Sequence, residues 1–491
     1  MSLSLVLEKA AQSGLKISGL TFRSQEVRPG FVFFAIKGAN VDGNQFVPEA
    51  IAHGAVMVVS SVPAAKPCPV LYYQSDDIDR DMADAAYEFY GRPSDHMKMI
   101  GVTGTKGKTS IAYLLESILV SAGQTVGALG TINYRMAGRV LSAAPNTTPA
   151  ALVLFDLLNQ MRREPCDSVV MEVSSHALEL QRVRHIWYDT AVFTNLQRDH
   201  LDFHHTFENY FKAKQKLFEN LLDPQNPKAH RTAVINVDDP YGRRLLERVR
   251  GRVKTITFSL EEPSDLQATH IRETLEGTSF EVNGVAMHIH LLGRHNVYNA
   301  LGAVAAAQAS ELTLEQAARG LAQLPGVPGR MERIDEGQNF FVFVDFAYTD
   351  ESLQRAFDTL KPFKKGNLLV VFGCGGQRDR TKRPLMGKTA CTGADFVFLT
   401  NDNPRCEDPK QIFTDILQGM EGCSNYEIIP DRAEAIGRAL QTAQPGDIVL
   451  VAGKGHEEWQ LIGTEKRPFS DKETIRAFLR ERKKLCSTKK K

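Results

Sequence analysis

The sequence predicts an α/β protein of three domains, and three observations predict it. The chain has 491 residues, and at about 100–200 residues per domain that length holds two to four domains. Apolar strand-like runs alternate with helical patterns in two separate stretches, which is the pattern of parallel sheets. Two breaks bearing proline and glycine, Tyr90–His96 and Gln323–Arg333, divide those stretches from each other and from the N-terminal part. The expected domains are residues 1–96, 97–328 and 329–491.

In the first domain, Phe31–Ala35 and Ala55–Ser60 read as strands and Phe46–His53 as a helix, giving a small mixed α/β unit. The second opens with the strand Met97–Val102, a glycine-rich turn and the helix Thr109–Ala122. Strands follow at Ser168–Val173, Ala191–Thr194 and Ala233–Val237. The third repeats the alternation with Phe340–Val344, Leu368–Phe372, Phe396–Thr400 and Ile448–Val451. Each of these last four is followed at once by a polar segment: DFAYTD, GCGGQRDR, NDNPR or AGKGHEE. Open parallel sheets bind ligands beyond the carboxyl ends of their strands, so the four segments are expected to converge on one crevice.

Composition excludes several classes. Hydrophobic residues make up 43% and charged residues 24%, values of a globular chain able to bury sizeable cores. Lys plus Arg total 59 against 58 Asp plus Glu, which is not the broad basic field of a nucleic-acid binder. No apolar run reaches the length of a membrane span. The N-terminal MSLSLVLEKAAQSG reads as a short amphipathic helix without the features of a signal peptide. The seven cysteines are scattered with no CxxC pair, so neither a disulfide framework nor a zinc ribbon is expected. A cytoplasmic location is the simplest expectation. The end, Lys483–Lys491, reads as a solvated tail.

The segment MIGVTGTKGKTS, Met99–Ser110, runs from an apolar strand through Gly104-Thr105-Lys106-Gly107 into Lys108-Thr109-Ser110 and a helix. Glycines there turn backbone N–H groups inward around phosphate oxygens, and the helix N-terminus adds positive potential. Lys108 would reach the terminal phosphates, and the Thr109 hydroxyl would meet Mg²⁺. The strict P-loop pattern wants Gly at position 102, where this chain has Val102, so the loop is a variant in the right context.

Glu172 ends the next strand, and Asn195, Asp199, His200 and Asp202 follow the one after. Carboxylates at neighbouring strand ends suit a hard cation beside nucleotide phosphates. His200 and His204 have i,i+4 spacing, but Leu201 stands where a zincin has Glu. No G-x-S-x-G elbow occurs.

The motifs GVTGTKGKTS, PNTTP, MEVSSHALELQRV, FTNLQRDHLDFH, YFKAKQKLF, GRHNVYNALGA, VFGCGGQRDRTKRP, DNPR and VAGKGHE occur in this order. Together they resemble the Mur ligases over nearly the whole chain, in particular members that add an amino acid to UDP-N-acetylmuramoyl-L-alanyl-D-glutamate. The resemblance implies a first domain for the UDP end of the substrate, a central P-loop-type ATPase domain for ATP and Mg²⁺, and a C-terminal Rossmann-like domain for the incoming amino acid. It implies ATP-dependent amide bond formation through an acyl phosphate, in peptidoglycan precursor synthesis, by a monomer.

Carried over by motif, the resemblance places Gly104–Ser110 around ATP. Lys108 falls on the γ-phosphate, and Thr109, Glu172 and His200 fall at the metal. It makes Lys214 the carbamylated lysine, whose carbamate would face the metal where a bare ammonium would repel it. His200 and Glu172 are then expected to act through the metal and not as general bases. Asn296 and Asn299 fall on the adenine side, and Arg330 and Asp345 near the phosphates and ribose. Ser24 matches the uridine contact, and Thr147, Thr148, Ser174 and Arg182 match positions holding the muramoyl dipeptide. Arg378, Asp402, Asn403, Pro404, Arg405, Gly453 and Glu457 match the amino-acid pocket.

The DNPR form resembles ligases that add meso-2,6-diaminopimelate. Side-chain chemistry points the same way. Diaminopimelate ends in a second carboxylate and ammonium, whereas lysine ends in an ammonium alone. An Arg fork at 405 pairs the carboxylate and faces an unmatched cation if lysine binds instead. Glu457 suits the distal ammonium.

Three places depart from the family pattern. Lys106 stands for Asn in the phosphate loop, Tyr348 and Asp350 stand for His and Pro, and Arg23-Ser24-Gln25 stands for Asp-Ser-Arg. The competing readings are a lysine-adding or folylpolyglutamate-synthase-like ligase, a P-loop kinase or switch, and an inactive binding paralogue. DNPR opposes the first, PNTTP with MEVSSH opposes folate, and no strong Walker B run supports the kinase.

Overall fold

The structure is a computed structural model that describes residues 3, 14–38, 41–64 and 68–488. The helix expected at the N-terminus falls on positions 1, 2 and 4–13, outside the described residues, as do Lys489–Lys491. The chain divides into two compact units, Met1–Ala268 with Tyr298–Leu321, and Thr269–Val297 with Ala322–Lys491.

The first unit holds two sheets. One is four-stranded and parallel, in the order β1 (Gly19–Thr21), β2 (Phe31–Ala35), β3 (Ala55–Ser60), β4 (Leu71–Gln74). Its middle strands β2 and β3 are apolar almost throughout because both of their faces are covered. Phe33, Ala35 and Val58 turn toward the helix Val47–Ala52, while Val32, Phe34, Met57 and Val59 turn toward Met82, Ala86 and Phe155.

The other sheet of this unit is built on β5 (Lys98–Thr103), β6 (Val126–Leu129), β7 (Asn133–Met136), β8 (Arg139–Ala143), β9 (Ser168–Glu172), β10 (Thr190–Phe193), β11 (Thr232–Asn236) and β12 (Lys254–Ser259). Their order is β12-β11-β10-β5-β9-β6-β7-β8. Pairing is parallel from β12 to β6 and antiparallel at β7 and β8. The phosphate-loop strand β5 therefore lies between β9 and β10. This brings Gly104, Glu172 and Thr194 to neighbouring strand ends.

In the second unit, β13 (Leu266–Thr274), which begins in the first unit, is followed by the antiparallel hairpin β14 (Gly277–Val282) and β15 (Val285–Ile289). The main sheet there comprises β16 (Glu332–Arg333), β17 (Phe341–Asp345), β18 (Leu368–Phe372), β19 (Phe396–Leu399), β20 (Tyr426–Ile428) and β21 (Ile448–Ala452). Its order is β16-β17-β21-β18-β19-β20, parallel except for β16 at the edge. Alternate residues feed two cores: Phe343, Val370 and Leu450 on one face, Val342, Val371 and Val449 on the other. The four strands expected to end in polar segments, β17, β21, β18 and β19, are consecutive neighbours, so their carboxyl ends form one edge. A last hairpin pairs β22 (Trp459–Ile462) with β23 (Glu465–Pro468).

Two expectations are corrected. Cys391 and Cys423 form a disulfide with Cα atoms 6.1 Å apart. Packing of the helix Lys382–Gly393 against the turn at Gln418–Met420 sets that pairing, which residue spacing does not reveal. The C-terminal segment is no loose tail as far as Thr488, because it continues the helix Asp471–Thr488. Among the described residues no helix is long and apolar enough to cross a membrane.

Candidate active site

The helix Lys108–Ser121 begins directly at the phosphate loop, with Gly107 as its N-cap at φ 91°. Gly104 has φ 142° and Gly107 φ 91°, conformations that side chains rarely adopt. Added Cβ atoms would collide with the Thr194 hydroxyl at Gly104 and with the Asn299 amide at Gly107. The loop is braced from β10: Thr105 N donates to Asn195 O at 2.9 Å, Lys106 N to Asn195 Oδ1 at 3.0 Å, and Thr194 Oγ1 to Lys106 O at 2.7 Å. The Lys106 side chain turns outward, more than half exposed, with Nζ 3.5 Å from Asp199 Oδ2. Thr109 and Ser110 are buried.

Glu172 is 1% exposed and accepts hydrogen bonds at both oxygens. Its Oε2 accepts from Thr109 Oγ1 and Thr131 Oγ1, both at 3.0 Å, and its Oε1 accepts from Thr131 N at 2.9 Å. The expected dipeptide residues gather around it. Thr148 Oγ1 donates to Glu172 O at 2.8 Å and accepts from Ser174 N at 3.0 Å. Thr147 Oγ1 lies 3.1 Å from Thr131 Oγ1, and Arg182 Nη1 donates to Thr148 O at 3.3 Å. Ser24 sits apart, in the short 3-10 turn Ser24–Glu26 after β1, and is buried.

Lys214 comes from the helix Phe207–Leu222 and is 2% exposed. Its Nζ donates to Gly104 O at 2.8 Å, and Lys108 Nζ donates to the same oxygen at 2.8 Å. Burial first, then Lys108, holds the Lys214 amine well below the usual lysine range. His200 lies beside Asp199, with its ring centroid 4.9 Å from that of His176. Burial lowers its pKa against the pull of Asp199, and Lys108 and Lys214 push it down further. Next to it, His204 Nε2 meets Ser175 Oγ at 2.9 Å, and burial followed by His176 lowers it to about 4.

Among the described residues no three His, Cys, Asp or Glu side chains form a metal cage. Mg²⁺ does not need one: it is commonly held by one or two protein oxygens together with substrate phosphates. The Thr109 hydroxyl paired with the Glu172 carboxylate, at the start of a phosphate-loop helix, is such a hard-oxygen donor set.

The second unit carries the remaining residues. Asn296 Nδ2 donates to Leu292 O at 2.8 Å. Asp345 Oδ2 accepts from Met331 N at 2.7 Å, and burial, opposed by Arg330, raises its carboxyl to about 6. The Arg330 guanidinium lies 5.3 Å from the centroid of the Phe346 ring. Tyr348, one of the departures, is half exposed and stacks with Lys382.

Arg405 has φ 55° and is locked to the last hairpin, with its N donating to Leu461 O at 2.9 Å and its O accepting from Gly463 N at 2.8 Å. Its Nη1 donates to Gly376 O at 2.8 Å. A Cβ at Gly375 would lie 2.9 Å from Arg405 Nη1 and 3.7 Å from Arg378 Cγ, so the two arginines converge there. Burial, then repulsion from Arg378, lowers the Arg405 pKa. Arg378 lines a cavity of about 560 Å³ with Gln377, Arg380, Cys406, Glu407 and Gln411. Asn403 Nδ2 donates to Glu457 Oε2 at 2.9 Å. Asp402 is buried and adjoins Gly453, and Pro404 is buried.

Sequence reasoning missed three anchors, two of them fully buried. Thr131 holds both oxygens of Glu172, and its one signal is its place just past the apolar strand β6. Arg383, 0% exposed, bonds Glu407, Asp415 and Gly375 O, and so ties the segment before Arg378 to the one after Arg405. Lys454 bonds Asn403 and Glu457. Both cations lie inside recognised motifs, but only tertiary packing shows that they face inward.

A glycine-rich phosphate loop on one parallel sheet, and paired arginines at the strand ends of another, define a nucleotide-using α/β enzyme. Family models match along the chain: "Mur ligase family, catalytic domain" over residues 16–88, "Mur ligase middle domain" over 102–307, and "Mur ligase, glutamate ligase domain" over 329–455. Two similar curated proteins are named UDP-N-acetylmuramoyl-L-alanyl-D-glutamate--2,6-diaminopimelate ligase. The one from Solibacter usitatus is 43% identical over 95% of this chain and 94% of its own. The one from Geobacillus thermodenitrificans is 44% identical over 95% and 96%. A solved structure of a ligase with that name superposes with TM-score 0.68 at 33% identity, covering 94% of this chain and 95% of its own. The chain belongs to the Mur ligase family.

Proposed function

We propose that this ligase joins meso-2,6-diaminopimelate to the D-glutamate of UDP-N-acetylmuramoyl-L-alanyl-D-glutamate, using ATP and Mg²⁺, in cytoplasmic peptidoglycan precursor synthesis. The observation that carries the amino-acid choice is the convergence of Arg378 and Arg405 at Gly375. The Arg378 charge that works against the Arg405 guanidinium is offset by an anion between the two side chains, and the distal carboxylate of diaminopimelate supplies one. The names of the similar proteins support the same substrates. The division 1–96, 97–328 and 329–491 is supported by the separate four-stranded sheet of β1–β4 and by the spans of the family models.

Lys108 and the backbone N–H groups of the phosphate loop would hold the ATP phosphates. Thr109 and Glu172 would hold Mg²⁺, with His200 and modified Lys214 completing its surroundings; bound there, the ion neutralises phosphate charge. Lys214 suits carbamylation because burial favours its neutral amine. Its nitrogen bonds to the carbon of CO₂ and releases a proton, which turns a cation into an anionic oxygen donor. Thr147, Thr148, Ser174 and Arg182 would orient the dipeptide so that the D-glutamate γ-carboxylate meets the γ-phosphorus in line. A carboxylate oxygen bonds to that phosphorus as its bond to the ADP oxygen breaks, giving an acyl phosphate and free ADP. The amine of diaminopimelate then attacks the acyl carbon, and phosphate leaves as the amide forms. Positioning and charge neutralisation dominate such chemistry. Mass spectrometry of the products tests the reading: diaminopimelate appended to the muramoyl nucleotide is expected, and ligation of lysine in preference would overturn the specificity.

A further inference from the structure

The recognised segment AGKGHEE contributes Gly453 and Glu457 to the expected pocket, yet its lysine is fully buried. The Lys454 side chain is 0% exposed. Its Nζ donates to Glu457 Oε2 at 2.9 Å and to Asn403 Oδ1 at 3.2 Å, and lies 5.4 Å from the Trp459 ring centroid. Asn403 closes the triangle by donating Nδ2 to the same Glu457 oxygen at 2.9 Å, while its Oδ1 also accepts from Leu461 N at 2.9 Å. Leu461 O in turn receives Arg405 N at 2.9 Å. One buried cation is therefore linked through Asn403 and the last hairpin to both charged readers, Glu457 and Arg405.

The geometry has a chemical consequence. Two donors saturate Glu457 Oε2, which leaves Oε1 to receive an ammonium. The Glu457 side chain is 21% exposed. Asp402 lies close enough for Lys454 and Arg432 to oppose the effect of burial on its carboxyl, while Glu457 works against them. Lys454 thus offsets one of two neighbouring carboxylates. Without it the region becomes more anionic, which favours a ligand ending in a lone cation over one ending in a zwitterion.

We propose that Lys454 is a positioning residue that sets amino-acid specificity, fixing Glu457 and keeping the pocket's charge matched to a distal carboxylate–ammonium pair. This inference rests on the reading of the pocket under Proposed function. A role confined to packing would lower ligation of every amino acid equally. A specificity role changes the ratio between them.

The test is steady-state ligation of meso-diaminopimelate and L-lysine by full-length wild type, Lys454→Met and Lys454→Gln. Lys454→Met is expected to lower kcat/KM for diaminopimelate at least about tenfold, mainly through KM, as expected when one partner of a buried charge pair is removed. The diaminopimelate-to-lysine ratio should shrink by a similar factor, and Lys454→Gln, which keeps a donor but not the charge, should shrink it too. Equal losses for both amino acids, or an unchanged ratio, would overturn the proposal. So would failure of both variants to fold, which would assign Lys454 to stability alone. A wild-type protein that ligates neither amino acid would instead refute the proposed function, and that result is read before any variant is made.

Discussion

Replacing Arg405 by alanine tests the amino-acid pocket at its most discriminating point. Nη1 is already taken by Gly376 O, at 2.8 Å. Nε and Nη2 remain to pair a substrate carboxylate. Charge-assisted hydrogen bonds are worth about 1.5–3 kcal/mol each. Arg405 is only partly buried, so the lower end applies, and two such bonds sum to about 3 kcal/mol, or roughly a hundredfold. Lysine has no distal carboxylate and loses nothing from this source. Arg405→Ala should therefore cut kcat/KM for diaminopimelate about a hundredfold and leave that for lysine level or higher. Competition between the two amino acids in one reaction, read by product masses, measures the ratio directly. A ratio that stays within about threefold of wild type would refute the claim that Arg405 reads the carboxylate.

Three other outcomes are expected. Lys108→Ala should lower kcat by about 10²–10³ through loss of charge stabilisation on the transferred phosphoryl group, with the melting transition retained. Wild type exchanged into ¹³C-bicarbonate should show a carbamate carbon in its NMR spectrum that Lys214→Ala lacks; identical spectra would remove the modification from the account. The Arg383 guanidinium, with the backbone of Gln377, holds the Glu407 carboxyl at about 2, below its ordinary 4.5. A depressed carboxyl pKa stabilises the fold above the unfolded value and loses that effect as pH falls through the folded one. The melting-temperature gap between wild type and Glu407→Gln should thus be constant above about pH 4.5 and close toward pH 2.

Strands buried on both faces were legible in the sequence. Phe31–Ala35, Ala55–Ser60 and Leu368–Phe372 coincide with β2, β3 and β18 because uninterrupted apolar runs have few other uses. The loops after β5, β9 and β18 were legible because glycines and charged residues directly behind such strands mark a ligand edge. The hairpins β7–β8 and β14–β15 were not. Arg139–Ala143 is largely exposed, and Gly277–Val282 mixes polar with apolar residues, so neither stands out from a loop. In the site, the phosphate-loop residues and those expected at the dipeptide could be located by motif, and Thr147, Thr148, Ser174 and Arg182 lie together around Glu172. The anchors beneath them stayed hidden. A lysine such as Lys454 or an arginine such as Arg383 is almost always at the surface, and only the carboxylates that the fold turns inward beside them, Glu457 for the first and Glu407 with Asp415 for the second, make that burial tolerable.

The central claim, that this chain is a diaminopimelate-adding ligase, is tested most directly by phosphate release. Purified protein is given ATP, Mg²⁺ and UDP-N-acetylmuramoyl-L-alanyl-D-glutamate, with meso-diaminopimelate, with L-lysine or with no amino acid. Sustained release with diaminopimelate alone is the expected result. Release with lysine at a comparable rate would contradict the reading of Arg405, and no release in any mixture, bicarbonate included, would contradict the ligase assignment itself.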